Sequence, residues 1–254
     1  MKSGNIVLIG PTNSGKSSLV NKIMGQRVSL VSRKKQSTTF NQKVYKKLSE
    51  NEFIIQDTPG FFSSRKKINN NIISSPLAEI ETSDLIYVVV DISLRINNEY
   101  KKIINSLENK IEKQHVFLIL NKIDKVKKDR VLSAIKFYSR EKIFNEIFPI
   151  SSLTGEGVAN LIKFSKKFTI KTSIKSKPSS NIQIKKKLFY SEVTREKILD
   201  KIHREIPYQC DVVTEKINRV ASQIKIYQSI VVKRQSHKNL SLIHISEPTR
   251  LHGI

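Results

Sequence analysis

Residues 10–18, GPTNSGKSS, follow the apolar run at residues 5–9 directly and constrain the fold more than any other part of the chain. They fit the pattern G-x-x-x-x-G-K-[ST], in which small residues let successive backbone N–H groups point into one concavity. A helix that begins near Lys16 would add the positive end of its dipole. The sequence therefore predicts a strand, a phosphate-binding loop and a helix, with Lys16 reaching the β and γ phosphates and the Ser17 hydroxyl binding Mg²⁺. The alternative is a chance match in a chain rich in lysine and serine.

The first two thirds of the chain alternate short apolar runs with longer segments of helical period. The runs are residues 5–9, 53–56, 85–90, 116–120 and 148–150. Runs that are apolar nearly throughout are typical of strands buried on both faces, and the helices between them supply the crossovers that parallel pairing requires. We therefore predict an α/β fold with a doubly wound, mostly parallel sheet, and ligands at the carboxyl ends of its strands.

The tetrapeptide Asp57-Thr58-Pro59-Gly60 follows the second apolar run. Taken alone, D-T-P-G is typical of an ordinary turn, because aspartate, proline and glycine are turn residues. Opposite a phosphate loop, however, Asp57 would hold Mg²⁺ through water, and the Gly60 N–H would contact a γ phosphate. The pair of motifs predicts a site that distinguishes a nucleoside triphosphate from a diphosphate.

The tetrapeptide Asn121-Lys122-Ile123-Asp124 follows the run at residues 116–120 and indicates which base is bound. A carboxylate at Asp124 can accept hydrogen bonds from both N1–H and the 2-amino group of guanine, whereas adenine offers neither donor. Adenine would leave this carboxylate unpaired, which costs enough free energy to reject it. We expect the Lys122 stem to cover the base plane and Asn121 to brace the loop. The alternative is a coincidence in a chain rich in asparagine and lysine.

A third base contact is predicted after the run at residues 148–150, where a backbone N–H of Ser151, Ser152 or Leu153 would meet guanine O6. Residues 154–157, TGEG, and the helix after them would position it. The full set of predicted nucleotide contacts is Gly10, Pro11, Thr12, Asn13, Ser14, Gly15, Lys16, Ser17, Ser18, Asp57, Thr58, Pro59, Gly60, Asn121, Lys122, Asp124, Ser151, Ser152 and Leu153.

With these motifs in order, the chain resembles the translation-factor-related GTPases. Residues 25–39, GQRVSLVSRKKQSTT, resemble the switch I approach of the bacterial Era GTPase family, whose pattern is G-Q-x-x-S-x-x-S-x-K-x-Q-T-T-R. Residues 191–199, SEVTREKIL, and 205–208, EIPY, resemble the entry to that family's C-terminal RNA-binding KH domain. The resemblance covers about residues 4–238. It implies a GTP-hydrolysing switch that uses GTP, GDP and Mg²⁺ and binds small-subunit ribosomal RNA near its 3′ end during ribosome maturation.

The resemblance also assigns individual roles. Thr38 aligns with the switch I threonine that completes the Mg²⁺ shell, so the implied metal ligands are Ser17, Thr38 and Asp57. The implied catalytic groups are Lys16, Thr38 and Gly60. The sequence departs from the family where Ser37 replaces a threonine and Thr39 replaces the usual arginine.

Hydrolysis is expected to be slow without a partner. Phe61 and Phe62 follow Gly60, at the place where Ras-like proteins carry a glutamine that orients water. We expect acceleration by a partner or by K⁺ bound at Asn13, the phosphate-loop asparagine that holds K⁺ in some relatives. Two alternatives stay open: an RNA-binding module in which GTP stabilises the docking conformation with negligible hydrolysis, and a different ribosome-assembly GTPase.

The resemblance weakens towards the C-terminus. A KH domain clamps the RNA backbone with a G-x-x-G loop, and the chain has no glycine between Val158 and His252. We predict a GTPase domain at residues 1–168, a basic linker at 169–185, a smaller, incomplete α+β KH-like domain at 186–239, and a tail at 240–254 that does not match the family. A helix over residues 191–206 and strands over 210–217 and 224–232 are expected in the second domain.

The chain is strongly basic, with 46 lysine and arginine residues against 22 acidic ones and a formal net charge of +24. This excess favours a polyanionic partner, either RNA or an anionic membrane surface, against the alternative of a solvated lysine-rich surface. Residues 1–170 carry 29 basic and 15 acidic side chains, and residues 171–254 carry 17 and 7. Both parts could therefore be attracted to phosphates, including those of the small ribosomal subunit.

The location follows from features that are missing from the sequence. The single cysteine, Cys210, cannot form an internal disulfide, and no charged-then-apolar signal precedes the first strand. The run at residues 85–90 is far shorter than the ~20 residues that cross a bilayer. We predict a cytoplasmic monomer with no transmembrane segment, and peripheral association with the inner membrane as the alternative.

Overall fold

The computed structural model describes residues 2–26, 28–29, 42–48, 50–58, 76–94, 98–108, 110–111, 113–169, 187, 189–191, 193–195, 197–198, 210–220 and 223–232. The chain forms two compact units that divide after Pro178. The predicted linker, from residue 170 onwards, and the predicted tail lie outside the described residues.

The first unit alternates strands and helices along the chain. Its elements are β1 Lys2–Ile9, α1 Lys16–Met24, β2 Gln42–Leu48, β3 Asn51–Asp57, α2 Pro76–Glu81, β4 Leu85–Asp91, α3 Asn98–Glu108, β5 His115–Asn121, α4 Lys128–Tyr138, β6 Glu146–Pro149 and α5 Val158–Ser165, with short 3₁₀ turns at Ile123–Lys125 and Lys166–Phe168. The sheet order is β2-β3-β1-β4-β5-β6. The strands pair in parallel except β2, which runs antiparallel to β3. The predicted doubly wound, mostly parallel sheet is confirmed.

Both faces of the sheet are covered by helices, which explains the apolar runs in its central strands, at residues 6–9 of β1, 85–90 of β4 and 116–120 of β5. On β1, Val7 and Ile9 pack in one cluster with α2, α3 and α4, whereas Ile6 and Leu8 pack in a second cluster with α1 and α5. The strands β1 and β4 are neighbours, and the chain leaves them towards opposite edges of the sheet. Ligands bind outside the carboxyl ends of strands at such a reversal, which is where the predicted phosphate loop lies.

Strand β2 was not predicted from the sequence. It reads QKVYKKL, and Lys43 and Lys47 are exposed while Val44 and Tyr45 are half-buried. As an edge strand it has one neighbour, β3, and lysines on an edge strand discourage pairing with other chains. The apolar-run criterion that finds buried strands therefore misses it.

The second unit contains an antiparallel pair, β7 Cys210–Val220 and β8 Gln223–Val232, which confirms the two predicted strands and lengthens both. The described residues between 187 and 198 are helical. Helical residues are thus found from Lys187, four positions before the predicted start at Ser191, and the rest of the predicted helix lies outside the described residues. Ile198 packs on Val212 and Ile230 to form the small core. The Ser191 hydroxyl lies 2.7 Å from that of Thr214 and ties the helical residues to β7.

Within the described part of the chain, no helix combines the length and apolar character needed to cross a membrane.

Candidate nucleotide-binding site

The phosphate loop joins the end of β1 to the first residue of α1, as the sequence predicts. Gly10 and Gly15 both have positive φ, of 151° and 97°. A Cβ on Gly10 would lie 2.3 Å from the Val89 carbonyl oxygen, and a Cβ on Gly15 would lie 2.2 Å from Asn121 Nδ2. Both positions therefore require glycine for two reasons. The backbone has a positive φ, and an atom of a neighbouring residue lies too close to leave room for a side chain.

Lys16 places its ammonium inside this loop. Its Nζ donates to the carbonyl oxygens of Gly10 and Pro11 at 3.0 and 2.8 Å, and its side chain is buried. Burial lowers the pKa of Lys16 to about 8, and the nearby Asp57 carboxylate partly opposes this shift. The loop thus holds one desolvated cation where a phosphate would neutralise it.

Asp57 ends β3 beside Lys16 and is fully buried. Burial raises the pKa of its carboxyl group, while hydrogen bonds from Ser17 and Ser29 and the charge of Lys16 lower it. Its Oδ2 accepts the Ser29 hydroxyl. Its Oδ1 is buried and has no hydrogen-bond partner among the described residues.

These residues fit a magnesium ion. Mg²⁺ takes oxygen ligands, commonly a carboxylate and a hydroxyl together with substrate phosphates, and the Ser17 hydroxyl lies within hydrogen-bonding distance of the Asp57 carboxylate. The unpartnered Oδ1 supplies a buried acceptor that a metal-bound water would satisfy. Thr58, the next residue, donates its hydroxyl to the Leu8 carbonyl oxygen at 2.6 Å and so fixes the end of β3 against β1.

Asn121 joins three parts of the site. It is fully buried, and its Nδ2 donates to the Ser14 carbonyl oxygen in the phosphate loop at 2.8 Å. Its Oδ1 accepts the N–H groups of Lys122 and Ser152 at 2.9 and 3.0 Å, and also the Ser152 hydroxyl at 2.9 Å. This is the bracing role expected from the sequence, and it holds the two base-side loops against the phosphate loop.

Lys122 extends over the phosphate loop from a left-handed backbone position with φ of 68°. Its Nζ donates to the Asn13 carbonyl oxygen at 2.7 Å and to Asp91 Oδ2 at 2.5 Å. Asp91 was not singled out from the sequence. The sequence shows an acid directly after the apolar run at residues 85–90, but its pairing in register with Asn121 at the end of β5 appears only in the structure.

Asp124 lies on the solvent side of the site and is exposed. Its Oδ1 accepts the hydroxyl of the buried Ser151 at 2.6 Å, and the same hydroxyl accepts the Thr154 N–H at 3.1 Å. One oxygen of the carboxylate is therefore oriented by the loop at residues 151–154. Burial of this carboxylate, on which the argument against adenine depends, would come from the base itself.

Two of the three candidate N–H donors for guanine O6 already donate within the protein. The N–H of Ser151 donates to the Glu156 carbonyl oxygen, and that of Ser152 donates to Asn121. Among these three residues, the N–H of Leu153 is the one that donates to no described residue. Ser151 and Ser152 thus use their N–H groups within the protein, and a contact from Leu153 to guanine O6 stays a prediction.

Part of the predicted site lies outside the described residues. This part comprises Thr38, Pro59 and Gly60, with the neighbouring Ser37, Thr39, Phe61 and Phe62. Two further residues were missed by sequence reasoning: Ser29, whose hydroxyl donates to Asp57, and Asn21, which hydrogen-bonds to the backbone of Ser29. Their only signal was the position of Ser29 at a serine of the family pattern.

A phosphate loop after β1, a buried carboxylate after β3 and a braced N-K-x-D loop after β5 define a P-loop GTPase domain. Residues 5–122 match the family model described as "50S ribosome-binding GTPase". The chain is 32% identical to the GTPase Era of Agrobacterium fabrum over 243 residues, covering 95% of this chain and 76% of that relative. It is also 32% identical to the GTPase Era of Clostridium beijerinckii over 242 residues, covering 94% and 80%. The chain belongs to the Era family of GTPases.

Two solved Era structures share the fold of almost the whole chain. One is Era in complex with MgGDPNP and nucleotides 1506–1542 of 16S ribosomal RNA, with a TM-score of 0.82, 26% identity and coverage of 97% of this chain and 83% of that one. The other is an Aquifex aeolicus Era variant bound to GDP·AlF₄⁻, with a TM-score of 0.81, 26% identity and the same coverage. Era structures thus bind guanine nucleotides, in one case with magnesium.

Proposed function

We propose that this chain is a Mg²⁺-dependent GTP-binding and GTP-hydrolysing switch that binds small-subunit ribosomal RNA and assists biogenesis of the small ribosomal subunit in the cytoplasm. The observation that carries this proposal is the Asn121 brace, which joins the phosphate loop, the lysine that covers the base and the loop that orients Asp124. A phosphate loop alone accepts many nucleotides, whereas this connected arrangement suits guanine.

The residues divide the chemistry between them. Lys16 and the loop N–H groups bind the phosphates, and Asp124 with Lys122 selects and covers the base. Ser17 and Asp57, with Thr38, would hold Mg²⁺, which when bound neutralises charge on the β and γ phosphates. The Gly60 N–H would sense the γ phosphate. Water is the nucleophile, and the products are GDP and phosphate.

The absence of a glutamine after Gly60 favours slow intrinsic hydrolysis. Phe61 carries no group that could orient water. We expect measurable multiple turnover of GTP in the presence of ribosomal RNA, assayed by phosphate release. Turnover that stays negligible with RNA present would instead favour the alternative of a GTP-dependent RNA-binding module.

A monovalent cation is the other candidate activator. We propose that Asn13 helps to hold K⁺ beside the phosphates, because this residue lies exposed at the mouth of the loop in a left-handed conformation. Hydrolysis is then expected to run faster in K⁺ than in Na⁺ at equal ionic strength. Equal rates in the two salts would contradict this role, and an Asn13→Ala variant should remove any difference between the cations.

The proposal of a ribosomal partner is supported by the Era structure in complex with 16S ribosomal RNA, whose match covers 97% of this chain. The matched family model has a description that names the 50S particle, so a different ribosome-assembly GTPase is the alternative. We favour the small subunit because the match to Era extends across the second unit, whereas the family model ends at residue 122. We keep the domain boundaries 1–168, 169–185, 186–239 and 240–254 as part of this proposal.

RNA binding is tested with the full chain and a fragment from the 3′ end of 16S ribosomal RNA. The titration is run at several salt concentrations, with GDP or a non-hydrolysable GTP analogue, against a scrambled RNA of equal length. We expect binding that depends on RNA sequence and strengthens in the GTP state. Binding that merely falls with salt and is equal for both RNAs would be backbone attraction alone, and would overturn the rRNA assignment.

A further inference from the structure

We propose that Ser29 is a positioning residue for the Mg²⁺ site, that it acts by fixing the Asp57 carboxylate, and that Asn21 on α1 holds Ser29 in place. This inference rests on the proposed function. It assigns roles to two residues that belong to none of the recognised nucleotide motifs.

Ser29 contacts the Asp57 carboxylate directly. Ser29 lies beyond the end of α1 and is completely buried. Its hydroxyl donates to Asp57 Oδ2 across a separation of 28 residues in sequence. A buried serine hydroxyl aimed at a buried carboxylate makes a charge-assisted hydrogen bond, which is stronger than one between neutral groups.

The second step is the support of Ser29 by a single side chain. Asn21 Nδ2 donates to the Ser29 carbonyl oxygen at 2.6 Å, while Asn21 Oδ1 accepts the N–H groups of Val28 and Ser29 at 2.8 and 2.7 Å. Both backbone polar groups of Ser29 are thereby bound to one residue. The direction of the Ser29 hydroxyl is consequently set by α1.

The third step links this support to the metal ligands. Asn21 is four residues after Ser17 on α1, so both side chains lie on the same face of that helix. Ser17 and Ser29 both hydrogen-bond to the Asp57 carboxylate. Helix α1 therefore supplies one proposed metal ligand, Ser17, and through Asn21 and Ser29 it also orients the other, Asp57.

The consequence concerns the two oxygens of Asp57. Because Ser29 occupies Oδ2, the buried Oδ1 is the oxygen left for a metal-bound water. A carboxylate that binds through water depends on its orientation, and losing a group that orients a metal ligand typically weakens metal affinity by about 10- to 100-fold. Without the Ser29 hydroxyl, the carboxylate would keep the hydrogen bond from Ser17 alone, and its orientation would be less firmly fixed.

The test measures Mg²⁺ affinity rather than hydrolysis. A fluorescent GDP analogue is bound to the full chain, and its retention is followed as free Mg²⁺ is varied with EDTA. We expect Ser29→Ala to raise the Mg²⁺ concentration for half-maximal retention by about tenfold. Ser29→Cys keeps a weak donor of similar size, so its Mg²⁺ concentration for half-maximal retention should lie between those of Ser29→Ala and the parent chain.

The matched control is Ser83→Ala. Ser83 is also a buried serine, and its hydroxyl donates to the Ile80 carbonyl oxygen at 2.8 Å, in the turn after α2. This substitution removes a buried hydroxyl outside the metal site, so it should lower the thermal unfolding temperature and leave the Mg²⁺ requirement unchanged. The comparison separates a role at the metal from a merely structural one.

Asn21→Ala provides a second route to the same readout. It leaves the Ser29 hydroxyl in the chain but releases its backbone, so we expect a rise in the Mg²⁺ requirement in the same direction. The double variant should show less than the sum of the two single effects, because both act through one contact. This variant keeps the inference testable if Ser29→Ala folds poorly.

The outcomes separate failure of the proposed GTPase function from failure of the role proposed for Ser29. If the parent chain fails to retain the GDP analogue at any Mg²⁺ concentration, the proposed function is wrong and this inference falls with it. If the parent chain shows Mg²⁺-dependent retention but Ser29→Ala and Asn21→Ala shift it no more than Ser83→Ala does, the inference alone is overturned.

Discussion

Replacing Asp124 by asparagine is expected to lower the affinity for GTP by about a hundredfold and to raise the affinity for xanthosine triphosphate. Guanine presents N1–H and a 2-amino group, which are two donors that one carboxylate can accept. An asparagine offers one acceptor and one donor, and that pair matches N1–H and the 2-oxo group of xanthine. The substitution therefore exchanges one base preference for another rather than merely weakening the site.

The geometry around Asp124 makes this exchange a clean test. The Ser151 hydroxyl donates to Asp124 Oδ1, and the amide oxygen of an asparagine can accept the same hydrogen bond, so the loop should keep its shape. Competition between GTP and xanthosine triphosphate for the bound fluorescent GDP analogue gives both affinities.

Asp129→Asn is the matched control, since Asp129 is an exposed acid in the first turn of α4 and outside the proposed site. It should change neither affinity. Unchanged preference for GTP in Asp124→Asn would remove the basis for assigning guanine.

The parts of the molecule that the sequence predicted well are those in which burial is visible locally. Strands β4 and β5, and the second half of β1, are buried on both faces, so nearly all of their side chains are apolar. The described residues of the polar motifs at the ends of β1, β3 and β5 lie where the sequence predicts them for the same reason, because each motif begins where an apolar run stops. The ends of these strands then meet at one edge of the sheet.

The parts that the sequence did not predict depend on partners far away in the chain. Strand β2 is identified by its pairing with β3, since its sequence QKVYKKL contains no apolar run. The link between Ser29 and Asp57 joins loops 28 residues apart, and no spacing rule in the sequence specifies it. Asp91 reaches Lys122 because β4 and β5 pair in a register that sets Asp91 beside Asn121, and this pairing is not visible in the sequence.

Replacing Gly15 by alanine is expected to abolish nucleotide binding, whereas Gly25→Ala should leave it intact. The two glycines flank the same helix, α1, and both are left-handed, with φ of 97° and 72°. Backbone strain from an alanine should therefore be similar at the two sites, about 1–2 kcal/mol. What differs is the space available, because a Cβ on Gly25 would meet nothing within 4 Å.

At Gly15 the added methyl group would lie 2.2 Å from Asn121 Nδ2, so Asn121 has to move. Moving it breaks the hydrogen bond to Ser14 and disturbs those to Lys122 and Ser152, which separates the phosphate loop from both base-side loops. Thermal unfolding with and without GDP and Mg²⁺ measures the result. Gly25→Ala should lower both unfolding temperatures and keep the gap between them, while Gly15→Ala should lose the gap. A Gly15→Ala chain that GDP stabilises as strongly as it does the parent would show that the site tolerates separation of these loops, and the Asn121 brace could not then be what selects the nucleotide.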